Sequence, residues 1–218
     1  MNLDCKEVSV NGKKIFLVGV IEPISEEAKR VKAIIEKISP DLIALQISQE
    51  ELEYLKSAEL EKEKFYLSLE QEIYARKLAV YDEVVVPWAY LETVLSLCSA
   101  KAIPLEAVDF TEEEFAKEFI KTISPITLIR QNLRLRRIKK KKFRAKSAID
   151  FVCEWDKVVT KLKGYKELTL KREECIAIKI IALLDKATKI LGLVELQRID
   201  GIEQKLRQLL SSRQQRLE

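Results

Sequence analysis

Residues Lys14–Ser48 read KIFLVGVIEPISEEAKRVKAIIEKISPDLIALQIS. Ile15 to Val20 is a short apolar, β-branched run, the composition of a strand covered on both faces. Ser25 is a natural N-cap, and Glu26-Glu27 fall in the first helical turn, where negative charge suits the helix dipole. Val31, Ile34, Ile35 and Ile38 then recur at helical spacing, and Ser39-Pro40-Asp41 stops the helix because the residue before proline is pushed out of helical space. Leu42 to Leu45 reads as a second buried strand. Strand, helix, strand in this length predicts a βαβ unit with parallel strands and a right-handed crossover, the nucleus of an α/β domain.

Outward from that nucleus, a weak strand at Glu7–Val10 and a turn at Asn11-Gly12 precede it. Helices are expected over 49–64, with Leu52 and Leu55 facing inward, over 65–80 and over 90–100. Short strands are expected at Glu83–Pro87 and Ala102–Val108, the second ending at Asp109. Thr111 and Glu114 have the spacing of a capping box for a helix to about Thr122. One long helix is expected from Pro125 to Lys163, ended by Gly164. Leu206, Leu209 and Leu210 in the closing segment offer an apolar face for a homodimer, and residues 211–218 are expected to fray.

A chain of 218 residues, 47% hydrophobic and 34% charged, can bury a sizeable core. One α/β domain over residues 1–218 is therefore expected: a mostly parallel sheet flanked by helices, core at about 14–124 and 166–210, basic helical segment at about 125–163. No apolar run approaches the roughly 18 to 20 residues of a membrane span, and MNLDCKEVSV lacks the pattern of a signal peptide. A cytoplasmic chain is the expectation. Cys5, Cys98, Cys153 and Cys175 lie far apart, which favours buried free thiols over a zinc or redox motif. Abundant Lys, Glu, Arg and Ile with five Gly fit a thermophile's composition, and an intracellular disulfide would belong to a hyperthermophile. The chain has no histidine, so the usual general base and commonest transition-metal ligand are missing.

The opening and closing stretches resemble the TraB/PrgY (Tiki-like) group of the ChaN and erythromycin-esterase-like superfamily. Where that group ends its first strand in Gly-Thr-Ala-His, this chain has Gly19-Val20-Ile21-Glu22; for Val-Glu-Leu it has Leu45-Gln46-Ile47. Arg172 to Ala177 is similar to the group's Arg-Asp/Asn-x-x-Met-Ala helix start, Ile190 to Val194 to its final strand, and Gly201-Ile202 to its closing-helix start. Glu195-Leu196-Gln197-Arg198 stands in place of Gly-x-Gly-His. The resemblance implies a metal-dependent hydrolase site in the group, with Glu22, Gln46 and Arg198 at the places of its first histidine, its acid and its second histidine. Gln46 is only a neutral ligand and Arg198 a fixed positive charge, so neither catalytic residue, metal nor other cofactor is expected. A structural ion pair between Glu22 and Arg198 is expected instead.

The charge is concentrated. Residues 130–146 hold ten basic residues and no acid: Arg130, Arg134, Arg136, Arg137, Lys139, Lys140, Lys141, Lys142, Arg144 and Lys146. The remainder, with 29 basic against 35 acidic residues, is slightly acidic. Leu128, Leu135, Ile138, Ala145 and Ile149 fall on one helical stripe, leaving the other faces cationic. Like charges at i,i+4 destabilise a helix by a few tenths of a kcal/mol per pair, which a polyanion would offset. Phe143, Phe151 and Trp155 are too sparse for stacking on single strands, so phosphate-backbone recognition of structured RNA, possibly a ribosomal subunit or the space between two, is the leading expectation. A solvated charged face, an anionic membrane, and a second copy's acidic body are the other readings. At the level of whole function, the alternatives to a non-catalytic RNA-binding protein are a divergent hydrolase using Glu22 and carboxylates such as Asp109, and a protein-protein adaptor.

Overall fold

A computed structural model describes residues 5–57, 67–85 and 89–214. Strand β1 (Cys5–Val10) returns as β2 (Lys13–Val20) through Asn11 and Gly12, whose φ values of 48° and 76° give the left-handed turn that matches hairpin twist. The sheet continues β1-β2-β5-β3-β4, with β3 at Leu42–Leu45, β4 at Leu105–Ala107 and β5 at Lys189–Glu195. Among the pairs of these five strands, β1–β2 is antiparallel and the other three are parallel. The two strands of the opening nucleus are parallel as expected, but they are not neighbours: the last strand inserts between them. Its run Ile190-Leu191-Gly192-Leu193-Val194 is buried throughout and suits the centre, whereas β1 alternates and suits an edge.

The strands divide their side chains between two apolar layers. Ile15, Leu17, Leu42, Ala44, Ile190 and Val194 pack with α8 (Lys163–Leu183) and α9 (Ile199–Gln214). Val18, Ile43, Leu45, Leu191 and Leu193 face α1 (Glu27–Ile38) and α4 (Ala89–Lys101). Ile202, Leu206 and Leu210 are buried in the first layer with Leu209 packed against it, so the closing segment is core and not a dimer face. The helix also continues to Gln214, past the point where fraying was expected.

Ser25 does not cap α1. Glu26 takes that position without a side-chain bond, and Ser25 Oγ instead donates to Glu83 at 2.8 Å. The strand expected at 83–87 is reduced to one bridge, Ile24 with Val84, while Val86 and Pro87 lie outside the described residues. Helix α2 (Gln49–Lys56) buries Leu52 and Leu55 as expected. Residues 58–64 of that expected helix are outside the described set, and α3 covers Leu69–Leu78. The capping box at α5 (Glu112–Thr122) forms in full: the Glu114 N–H donates to Thr111 Oγ1 at 3.1 Å and the Thr111 N–H to Glu114 Oε2 at 2.9 Å. Arg172 to Ala177, compared above with a helix start, falls inside α8.

The single helix expected from Pro125 to Lys163 is two, α6 (Pro125–Lys140) and α7 (Ala148–Val159), joined by a non-helical segment. The break has local causes. Phe143 turns inward against Phe151 and Trp155, with ring centroids 5.0 and 5.9 Å away. Glu154 accepts from Lys141 Nζ at 2.9 Å and from the Arg144 N–H at 3.2 Å, and Ser147 caps the new helix through the Asp150 N–H. Of the expected stripe, Leu135 and Ile138 are buried, but Leu128 and Ile149 are exposed. Gly164 is not a terminator. It is the second residue of α8, where a Cβ would run into the Thr122 carbonyl.

All four cysteines are free; Cys98 is buried, but Cys153 is exposed, against the expectation of burial. Among the described residues no helix is long and apolar enough to cross a membrane.

Candidate functional site

Because β2, β5, β3 and β4 are parallel, the residues that follow them arrive at one end of the sheet. Glu22, Gln46 and Asp109 follow β2, β3 and β4 at that end and Glu195 closes β5, with Gln46 bonded to the Glu195 N–H. Arg172, on α8, grips Asp109 with two bonds, Nε to Oδ1 at 3.1 Å and Nη2 to Oδ2. Its Nη2 lies 3.7 Å from Glu195 Oε1. Arg198, on the 3₁₀ turn Leu196–Arg198, bonds Glu173 Oε1 at 3.2 Å, contacts Asp156 on α7, and lies 3.8 Å from Glu195 Oε2. Gln197 Nε2 donates to the same Glu195 oxygen at 2.8 Å. Glu195 thus sits between two guanidiniums. Two local features press this turn and helix into place: a Cβ on Gly19 would stand 2.9 Å from Leu196 Cα, and one on Gly201 would overlap the Glu173 carboxylate.

Three positions were singled out in the sequence, and each has a different fate. Gln46 Oε1 accepts the Glu195 N–H at 2.9 Å, pinning β3 to β5, while its buried Nε2 has no partner. Arg198 is engaged by Asp156 and Glu173, so the expected pair with Glu22 does not form. Glu22 has no ion pair among the described residues and stands free at the sheet end. Asp156 and Glu173 were not foreseen because they reach the site from helices whose placement the strand pattern does not encode.

The site is electrostatically tense. Burial pushes the Glu22 carboxyl well above the usual range, with Glu195 and Glu51 adding to the effect. Burial also raises Glu195, against the pull of Arg172, and pushes Glu173 up to about 7. Arg198 is pulled down to about 10 by burial. Burial opposes the charge on Arg172 too, but Glu195 and Asp109 more than offset it. A carboxyl whose folded pKa is raised holds its proton more tightly folded than unfolded, so its contribution is full below the unfolded value and lost as pH rises through the folded one. Glu22, Glu195 and Glu173 all act in that sense. The melting temperature is expected to fall from pH 5 to pH 8, with Glu173→Gln flattening the fall; a rise across that range would contradict it. Glu118, held down to about 2 by hydrogen bonds from Lys121 and Lys171, acts oppositely and only at lower pH.

A metal of the kind the resemblance implies does not fit these residues. Asp109 is occupied by a guanidinium, Arg198 brings a second positive charge to the same end, and among the described residues no three acidic or thiol groups converge to hold an ion. Fold and site together define a five-stranded α/β protein whose sheet end is locked by two arginines among carboxylates. The chain matches no model of a known protein family and no curated protein.

Above the sheet end lies a cleft of about 680 Å³. Glu22, Arg172, Glu195 and Arg198 line it, and Tyr74, Phe115, Phe119, Trp155 and Tyr165 give it aromatic walls. Nothing in the sequence pattern marked it, since its walls come from α3, α5, α6, α7 and α8.

The basic residues lie on the α6–α7 hairpin, whose inner faces supply cleft walls through Leu135, Trp155 and Asp156; none of the ten lines the cleft. Arg130, Arg136, Arg137, Lys139, Lys140, Lys142, Arg144 and Lys146 are exposed. None of their side chains makes an ion pair among the described residues. The other two are structural: Arg134 Nη2 donates to the Val158 carbonyl at 2.6 Å, and Lys141 pairs with Glu154 and lies 4.5 Å from the Phe143 ring centroid. Both brace the hairpin, so the candidate nucleic-acid surface is eight cations, not ten.

Proposed function

We propose that the chain is a non-catalytic RNA-binding protein that works in the cytoplasm and grips a structured, ribosome-type RNA through the α6–α7 hairpin. The observation that carries this reading is the concentration of eight exposed cations on one hairpin, none of them in an ion pair among the described residues and with no acidic residue between 130 and 146. Like-charged neighbours such as Arg136 and Lys140 on α6 are unfavourable alone and become favourable beside phosphates. What supports descent from the TraB/PrgY-like group is that Glu22, Gln46 and Arg198, at the places of its site residues, meet at one end of a parallel sheet. Loss of that chemistry would leave the scaffold as a carrier for the basic hairpin.

The test is sedimentation of tagged protein with cell lysate. Ribosomal particles or structured RNA are expected to carry the protein down at low salt and release it at high salt. Co-sedimentation that survives nuclease treatment, or follows lipid vesicles, overturns the reading.

A further inference from the structure

The chemistry of the walls of the cleft at the sheet end is unbalanced. Glu22, Glu70, Asp156 and Glu195 line it against Arg172 and Arg198. Both guanidiniums are already held from outside the wall, Arg172 by Asp109 and Arg198 by Glu173. An arriving anion would therefore meet saturated cations and an excess of carboxylates. A neutral ligand would leave that excess untouched.

Glu22 is the group without a role in the fold. It is partly buried at the exit of β2, lines the cleft, and has neither hydrogen bond nor ion pair among the described residues. Half-buried beside Glu195 and Glu51, its carboxyl is held towards the protonated form, and a cation at this place would favour the charged one. Tyr74 and Trp155 line the same cleft, with ring centroids 5.4 Å apart and planes inclined at 55°. Aromatic faces attract cations within about 6 Å of the ring, and favour weakly hydrated organic ones when the site is dry. Phe115, Phe119 and Tyr165 extend the apolar wall. The volume lies within the roughly 300–1,000 Å³ typical of small-molecule sites.

We propose that this cleft binds a small organic ammonium ion, its charge on the Glu22 carboxylate and its apolar body against Tyr74 and Trp155. The amine supplies the countercharge that Arg198, committed to Asp156 and Glu173, does not. A bare metal ion is the poorer occupant: among the described residues no three cysteine, aspartate or glutamate side chains converge to hold one.

Calorimetry of the full chain at pH 7.5 with three indoles of similar size separates the outcomes: tryptamine, its neutral analogue tryptophol, and the anion indole-3-propionate. Tryptamine is expected to bind, tryptophol about tenfold more weakly, the size of one lost charge contact, and the anion more weakly still. Glu22→Gln, nearly isosteric with the protonated carboxyl, is expected to keep the fold by circular dichroism and to abolish the preference for amine over alcohol. Tyr74→Leu is expected to weaken tryptamine severalfold. Equal binding of amine and alcohol, preference for the anion, no heat with tryptamine at millimolar concentration, or an amine preference that survives in Glu22→Gln would each overturn the proposal. The comparison within the wild-type chain decides the matter even if a variant fails to fold.

Discussion

Replacing Arg136, Arg137, Lys140 and Lys142 with glutamine is expected to cut affinity for structured RNA about a thousandfold at ~0.1 M salt. At that concentration each counterion released contributes a factor of roughly five to eight, so four lost phosphate contacts multiply to that size. The slope of log affinity against log salt is expected to become shallower by about three, from roughly 0.7–0.9 for each of the four contacts. These four side chains are exposed and unpaired among the described residues, so their loss removes no internal bond. It also relieves i,i+4 repulsion between Arg136 and Lys140 on α6, and the variant is expected to melt no lower than the wild type. Arg134→Gln is the contrasting control. It frees the Val158 carbonyl and loosens the hairpin, so stability falls while the salt slope changes by less than one unit. Filter binding to a ribosomal RNA fragment across a salt series measures both quantities. An unchanged slope in the fourfold variant would falsify the RNA surface.

The parts of this architecture that were legible in the sequence are those written in local chemistry. Strand β2, helix α1 and strand β3 follow from apolar spacing and from Pro40; the hairpin turn follows from Asn11-Gly12, and the start of α5 from Thr111 and Glu114. The insertion of β5 between β2 and β3 was not legible. Strands β2, β3 and β5 are each apolar on both faces, so composition alone does not order them. The break between α6 and α7 carried a readable signal that the cationic run obscured: Ser147-Ala148-Ile149-Asp150 has the spacing of a helix start, and the Asp150 N–H does bond Ser147 Oγ, at 3.1 Å. Gly164 departs from its sequence expectation for a related reason. A glycine after a helical run suggests a C-cap, but this one is needed for the approach of α8 to Thr122, a contact between segments some forty residues apart.

At the sheet end, the strand-terminal members were legible and their partners were not. Glu22, Gln46 and Arg198 follow strands, and the parallel sheet delivers them to one edge. Asp156 and Glu173 come from α7 and α8, and their capture of Arg198 depends on how those helices pack over the sheet. The chain satisfies Arg198 with Asp156 and Glu173 and leaves Glu22 facing the cleft, so the expected Glu22–Arg198 pair is replaced by an arginine lock on one side and a carboxyl without an ion pair among the described residues on the other.

Arg198→Met is expected to destabilise the protein by about 3–5 kcal/mol at pH 7.5, the usual cost of removing one side of a buried ion cluster. Arg198 is 9% exposed and is the cation for both Asp156 and Glu173. Water cannot readily take its place beside Glu173, because that carboxylate is pressed against the bare Cα of Gly201. The cost therefore depends on the charge state of Glu173, which burial already pushes up to about 7. At pH 5 that carboxyl is protonated and needs no cation, so the destabilisation is expected to shrink there, leaving mainly the share due to Asp156. Adding Glu173→Gln to Arg198→Met is expected to recover part of the loss at pH 7.5 and none at pH 5, while Arg198→Lys, which keeps charge but not the fork, falls between. Urea denaturation of the four proteins at the two pH values measures all of this. A loss below about 1 kcal/mol, or one equal at both pH values, would mean that packing of the arginine stem and not its charge holds the sheet end together.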